Sequence, residues 1–210
     1  MYSEAPLVSA IMPTRGRAVW AHQALQMFLD QSYPNKEIVI VDDLDDRSFS
    51  VAPDFPGVKY HLIETRKTVG EKRNIAVNGA AGQIIIHWDS DDLYSMDRIE
   101  HQVDMLLSGE LDIVGYNRMT FVDEEKGKRI RYTGSAYYMI GVSLCYWRHV
   151  WQDRPFPAKN VGEDNDFFLT RNLRKATCDA GDHIIARIHS DNSFDKWQQI
   201  SKYPGQWVAA

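Results

Sequence analysis

The chain has 210 residues, of which 44% are hydrophobic and 25% charged, and a net charge of −5. That is enough chain to bury well over half of its unfolded surface without staples, in one large domain or two small ones. The mild acidity, with no basic stripe, excludes nucleic acid as a partner, and two cysteines without metal-ligand spacing, Cys145 and Cys178, suit a reducing compartment.

In chain order, the opening MYSEAPLVSA has an early glutamate and no basic segment, so no signal sequence is expected. No apolar run reaches the ~20 residues of a membrane span, and the expected location is cytoplasmic. Residues 7–12 (LVSAIM) read as a strand. A helical stretch follows over 17–31, with Trp20, Ala24, Leu25 and Phe28 on one side. EIVIV (37–41) predicts a second strand, VKYHLIE (58–64) a third, residues 71–81 a short helix, and IIIHW (84–88) a fourth strand. Met96, Ile99, Val103 and Leu106 repeat at helical spacing before Gly109, and LDIVGY (111–116) predicts a fifth strand. Short apolar runs alternating with helical patterns predict an α/β fold of βαβ units, with a mostly parallel, Rossmann-like sheet flanked by helices. After Tyr116 the pattern changes. Residues 119–132 predict a hairpin around Gly127, 143–151 a strand running into a short helix, 161–175 a helix with an acid-rich start, and 183–189 a late strand. One domain over 1–210, in two unequal halves of about 1–116 and 117–210, is the economical organisation.

Open parallel sheets bind ligands at the carboxyl ends of their strands. Four polar motifs stand at such ends: PTRGR (13–17), DDLDDR (42–47), TRKTVGEKRN (65–74) and DSDD (89–92). Crowded carboxylates such as Asp89, Asp91 and Asp92 raise one another's pKa unless a cation compensates. Their hard oxygens suit Mg²⁺ or Mn²⁺, which would in turn bind a diphosphate. Arg66, Lys67, Lys72 and Arg73 gather around Gly70, where they can share neutralisation of the same phosphates. The plain alternatives are a surface turn of acids and a solvated basic helix start.

With PTRGR, VDD (41–43), the stretch Gly70, Arg73 and Asn74, WDSDD (88–92), GED (162–164) and RIH (187–189) in this order, the chain resembles glycosyltransferase family 2 of the GT-A fold over about residues 7 to 190. The resemblance implies a single GT-A domain with a nucleotide-sugar-binding half and a smaller, mixed acceptor-binding half. It implies transfer of a sugar from a nucleotide diphosphate sugar, UDP-linked, to a hydroxyl of a glycan or other acceptor, with inversion. It further implies a nucleotide-sugar site of Pro13, Thr14, Arg17, Asp42, Asp43, Gly70, Arg73, Asn74, Asp89, Ser90 and Glu163. In that site Thr14 and one of Asp42 or Asp43 would hold uracil, Arg73 would lie near base or phosphate, and Asp89 would reach the ribose. Asp91, with Asp89, would ligate Mn²⁺ or Mg²⁺, with His189 a further metal or diphosphate contact. Asp164 would be the general base beside Glu163.

The chain also departs from the family pattern. Lys72 stands where the family often has alanine, and the C-terminal region is short, so acceptor recognition does not carry over. The rings of Tyr137, Tyr138, Tyr146, Trp147 and Trp151 are candidates for an acceptor groove, although core positions account for most of them. Two other readings stay open. A sugar nucleotidyltransferase would carry a glycine-rich loop after the first strand, where PTRGR has one glycine. A non-catalytic nucleotide-sugar or glycan-binding module would differ from an enzyme in donor hydrolysis.

Overall fold

The computed structural model describes residues 5–192, 195–202 and 206–209, so the start judged above not to be a signal sequence lies partly outside them. Strands β1 (Val8–Pro13), β2 (Lys36–Asp43), β3 (Val58–Ile63) and β4 (Ile84–His87) are parallel neighbours in the order β3-β2-β1-β4. Their side chains alternate between two cores. Ala10, Met12, Ile38, Ile40, Ile84 and Ile86 share one with α1 (Ala18–Leu29) and α3 (Arg98–Ser108). Ile11, Val39, Val41 and Ile85 share the other with α2 (Val69–Gly79), α4 (Arg148–Asp153) and α5 (Glu163–Phe168). Both faces of β1, β2 and β4 are covered, which is why residues 10–12, 38–41 and 84–86 are unbroken apolar runs, whereas β3 at the sheet edge, VKYHLI, is mixed and partly exposed. On α1 the buried stripe is Ala21, Ala24, Leu25 and Phe28. Trp20 leaves that stripe, and its ring lies 4.0 Å from that of His189.

The structure differs from the sequence-based expectation in three respects. The predicted strand at 111–116 and the first arm of the predicted hairpin are one strand, β6 (Ile113–Asp123). Its start pairs antiparallel with β8 (Cys145–Trp147), which in turn borders β4. Past an irregularity at Tyr116–Arg118, β6 pairs with β7 (Lys128–Thr133) and with β10 (Ile184–Arg187). A bulge lets one strand serve both parts of the sheet, because the extra residue re-aims the ladder.

Helix α5 also stops at Phe168 rather than running to 175. Residues Lys175–Asp179 form β9 along β6 instead. Asp112 accepts from the Arg174 backbone N–H at 2.8 Å and pairs with its guanidinium at 2.9 Å, and this anchors the strand start. Lastly, β5 (Leu93–Tyr94), α6 (Lys196–Lys202) and β11 (Trp207–Ala209) went unpredicted, being too short for periodicity to register. Strand β5 pairs with β10 and β11 with β7. No helix among the described residues is long and apolar enough to cross a membrane.

Candidate active site at the strand tips

Because β1 lies between β2 and β4, the chain leaves the sheet on opposite sides of it and a crevice opens at the carboxyl ends. The loops after β1 and β2 are locked together there. Thr14 Oγ1 and Ser48 Oγ are 2.7 Å apart, and the Gly16 N–H donates to the Asp46 carbonyl at 2.8 Å. Gly16 has φ +60°, and a Cβ on it would meet the Asp46 carboxylate at 2.7 Å, so the tight turn requires glycine.

The two aspartates of VDD have different fates. Asp42 is fully buried. Its Oδ2 accepts from the Ser48 N–H (2.8 Å), the Phe49 N–H (3.2 Å) and the Tyr60 hydroxyl (3.0 Å), while Oδ1 accepts from the Asp43 N–H (3.0 Å). It is spent on folding the loop and does not line the crevice. Asp43 does line it. Its Oδ2 takes the Lys72 ammonium at 2.6 Å, with Arg15 Nε at 3.7 Å, whereas Oδ1 is buried and has no hydrogen-bond partner.

Helix α2 supplies the next groups. A reciprocal capping box between Thr68 and Glu71 starts it. At Gly70, a Cβ would collide with the Pro157 carbonyl oxygen, so glycine allows the 157–159 loop to close on the helix. Lys72 Nζ donates to the Thr14 carbonyl at 2.8 Å as well as to Asp43. Burial lowers its pKa, against the opposing pull of Asp43. Arg73, also buried, joins the Glu163 carboxylate and reaches Asp89 Oδ1 at 3.4 Å. Asn74 is engaged elsewhere: its amide holds Phe156 N and O at 2.9 and 2.8 Å and accepts from the Trp151 indole at 2.8 Å. Gly70 and Asn74 thus brace the cleft wall and are not among its lining residues.

At the tip of β4, one oxygen from each of Asp89, Asp91 and Asp92 lies within 4.8 Å of the others. Asp91 Oδ2 receives Arg17 at 2.9 Å and His189 Nε2 at 2.9 Å; Asp92 Oδ1 receives the Arg187 N–H at 2.9 Å. Burial pushes Asp89 up despite the Arg73 charge, and burial with both neighbouring carboxylates pushes Asp92 well above the usual range. For Asp91 burial acts the same way, but the His189 bond and the Arg17 charge hold it low. Even with these partners the acids are not fully compensated, and three hard oxygens so spaced fit a divalent cation. The Asp191 N–H donates to His189 Nδ1 at 3.2 Å, while Nε2 faces Asp91 Oδ2 and lies 3.0 Å from the Asn192 side-chain amide. Ser90 is fully buried with its hydroxyl unpartnered, and Asp92, absent from the expected metal ligands, completes the triad. Ser90 and His189 lie outside the crevice lining.

Gly162, with φ +79°, turns the chain into α5 and sets Glu163 and Asp164 at the crevice. Burial, only partly offset by Arg73, pushes the Glu163 carboxyl up to about 7. Asp164 caps the Asn165 N–H at 2.8 Å through Oδ1, and its other oxygen rests where a Cβ on Gly141 would stand. The crevice has a volume of about 660 Å³, and Pro13, Thr14, Arg17, Asp43, Arg73, Asp89, Asp91, Glu163 and Asp164 all line it. Of the rings named from the sequence only Tyr138 lines it, joined by Phe121, Tyr132 and Trp207. These last three come from β6, β7 and β11, and nothing local in their sequence marks them as cleft residues. Arg15 and Arg187, within PTRGR and RIH, also line it; the sequence placed both motifs there but did not single out these two side chains.

The family model for glycosyl transferase family 2 matches residues 9–162. It ends at the residue before Glu163. An uncharacterized glycosyltransferase of Haemophilus influenzae is 30% identical over 60% of this chain and 52% of its own length. In Escherichia coli, UDP-Glc:alpha-D-GlcNAc-diphosphoundecaprenol beta-1,3-glucosyltransferase WfgD is 30% identical over 51% of this chain and 44% of its own. The chain thus spans about half the length of such curated relatives. Among solved structures, S. aureus TarS 1-349 in complex with UDP-GlcNAc superposes with a TM-score of 0.73 at 18% identity, covering 89% of this chain and 60% of that one. Mannosyltransferase PcManGT from Pyrobaculum calidifontis, in complex with GDP-Man and Mn²⁺, gives 0.64 at 17% identity, covering 91% and 59%. The shared fold is a mixed α/β architecture with a central, mostly parallel sheet, that of GT-A glycosyltransferases.

Proposed function

Given that the chain belongs to glycosyltransferase family 2, we propose that it moves a sugar from a UDP-linked donor to a hydroxyl of a carbohydrate acceptor, with inversion, as one domain over 1–210. The observation that carries this reading is one crevice in which buried Arg73 ties the β4 carboxylates to the Glu163–Asp164 pair of α5. Asp43 Oδ1, buried and unpartnered, is the acceptor available to a uracil imide; Asp42 is not available. Arg66 and Lys67 line the same crevice and provide charge for a diphosphate.

A divalent cation, Mn²⁺ or Mg²⁺, held by Asp89, Asp91 and Asp92 would neutralise charge on the departing diphosphate. Asp164 takes the proton of the acceptor hydroxyl as its oxygen bonds to the anomeric carbon and the carbon–oxygen bond to the diphosphate breaks. A base on the face opposite the leaving group gives inversion, by the single-displacement logic of inverting glycosidases. Arg73 holds Glu163 beside this base, and a carboxyl pushed up to about 7 adds less negative charge next to Asp164 than an ordinary glutamate would. The acceptor side is the aromatic wall: Tyr138 and Tyr132 are 6.1 Å apart by ring centroid, and Tyr132 and Trp207 4.8 Å. Flat rings in a row favour the apolar faces of sugar rings.

The test is Asp164→Asn. Donor binding in Mn²⁺ should stay near wild type, while transfer falls by the ~10²–10⁴-fold that a positioned base supplies. Asp166→Asn is the control, since Asp166 is exposed, paired with Lys159 and outside the crevice lining. Near wild-type transfer by Asp164→Asn would make Asp164 a helix-start acid and nothing more.

A further inference from the structure

We infer that Lys72 determines which nucleobase the crevice accepts, selecting a ring N–H flanked by a carbonyl over an edge that presents a ring lone pair and an amino group. The inference rests on the nucleotide-sugar reading above and adds a residue to it. An ammonium has three protons. Lys72 spends one on Asp43 Oδ2 at 2.6 Å and one on the Thr14 carbonyl at 2.8 Å, and no third acceptor is in reach among the described residues. Beside it, Asp43 Oδ1 is buried without a partner. Both residues line the crevice, which therefore presents one unspent donor next to one unspent acceptor.

The pair cannot easily swap roles. Lys72 pins Oδ2, Arg15 Nε lies 3.7 Å from the same oxygen, and Oδ1 is left as a pure acceptor. Uracil answers with its N3–H to Asp43 and an adjacent carbonyl to Lys72. Cytosine in the same position turns its N3 lone pair toward Asp43 Oδ1, acceptor against acceptor. It would pair only after sliding by about one ring position, which pulls its ribose and diphosphate away from the β4 carboxylates. Sites built to hydrogen-bond a ligand reject the analogue that leaves their buried groups unmatched. Alanine at position 72, the residue the family often has, would leave the imide carbonyl unread. The Lys72–Asp43 pair thus makes the base edge a two-point contact.

The test is calorimetric titration of UDP and CDP, each with Mn²⁺, into wild type, Lys72→Met, Asp43→Asn and Lys72→Met/Asp43→Asn. The double variant removes the unpaired buried carboxylate that could unfold Lys72→Met. Wild type should prefer UDP. In Lys72→Met, loss of a charged donor should weaken UDP by about 10–100-fold and leave CDP changed by a few-fold at most, narrowing the preference by that factor while the Asp43 acceptor keeps the remainder; the same narrowing should separate Asp43→Asn from the double variant. If UDP and CDP weaken by the same factor when Lys72 is replaced, or the UDP/CDP ratio does not change between Lys72→Met and wild type and between the double variant and Asp43→Asn, Lys72 is only a structural partner of Asp43 and the inference falls while the glycosyltransferase reading stands. Should wild type bind neither nucleotide, that reading fails, and the inference with it.

Discussion

Asp42 and Asp43 are adjacent in sequence, yet the structure gives them opposite duties, and Asp42→Asn separates the two. The change is isosteric and replaces one carboxylate oxygen with an amide NH₂. The least costly orientation keeps oxygen at the Oδ2 position, which serves Ser48, Phe49 and Tyr60 at 2.8, 3.2 and 3.0 Å. The NH₂ then faces the Asp43 N–H, which has lost its acceptor at 3.0 Å. Three bonds lose their charge assistance and one buried donor is left unpaired, for a cost of about 3–5 kcal/mol. For a chain of this size that lowers Tm by about 10–15 °C. Thermal unfolding followed by circular dichroism reads the shift, and calorimetry well below the transition reads UDP affinity, which should change by a few-fold at most. A Tm within about 2 °C of wild type, together with lost UDP binding, would refute the reasoning and make Asp42 a ligand contact.

Asp91→Asn should weaken UDP binding in Mn²⁺ by about tenfold or more, whereas Asp104→Asn, exposed on α3, should leave it unchanged; equal affinities in EDTA and Mn²⁺ for wild type would remove the cation from the reading. Glu163 has a folded pKa of about 7 against 4.5 for an ordinary glutamate, so the stability tied to its protonated form is full below pH 4.5 and is lost as pH rises through 7. Relative to Glu163→Gln, wild type should therefore lose up to about 3 kcal/mol in urea melts between pH 4.5 and pH 7.5; a pH-independent difference would contradict this. Gly70→Ala sets a methyl against the Pro157 carbonyl and should cost about 1–3 kcal/mol, with the loss visible as a lower Tm and as faster proteolysis of the 157–160 loop.

Much of the fold was legible because its signals are local. The continuous apolar runs at 10–12, 38–41 and 84–86 follow from burial on both sheet faces, and the helix over 98–108 from its spacing. Where pairing with a distant strand outweighed local propensity, the sequence misled: the helix predicted over 161–175 stops at Phe168, and Lys175 already opens a strand along β6. Strands of two or three residues, β5 and β11, carry no period to read.

By itself the sequence determined which loops carry charge and in what order they follow one another along the chain, since strand and turn patterns depend on near neighbours. Only the tertiary structure decided who partners whom. It brings Arg73 onto Glu163 from 90 positions away, leaves Asp43 Oδ1 open while closing Asp42, and moves Asn74 from the site into its wall. Position along a strand says where a side chain starts; what it meets depends on which other loops the packed sheet brings to the same end. Hydrogen-bond and ion-pair partners act over a few ångströms of space, whatever their separation along the chain.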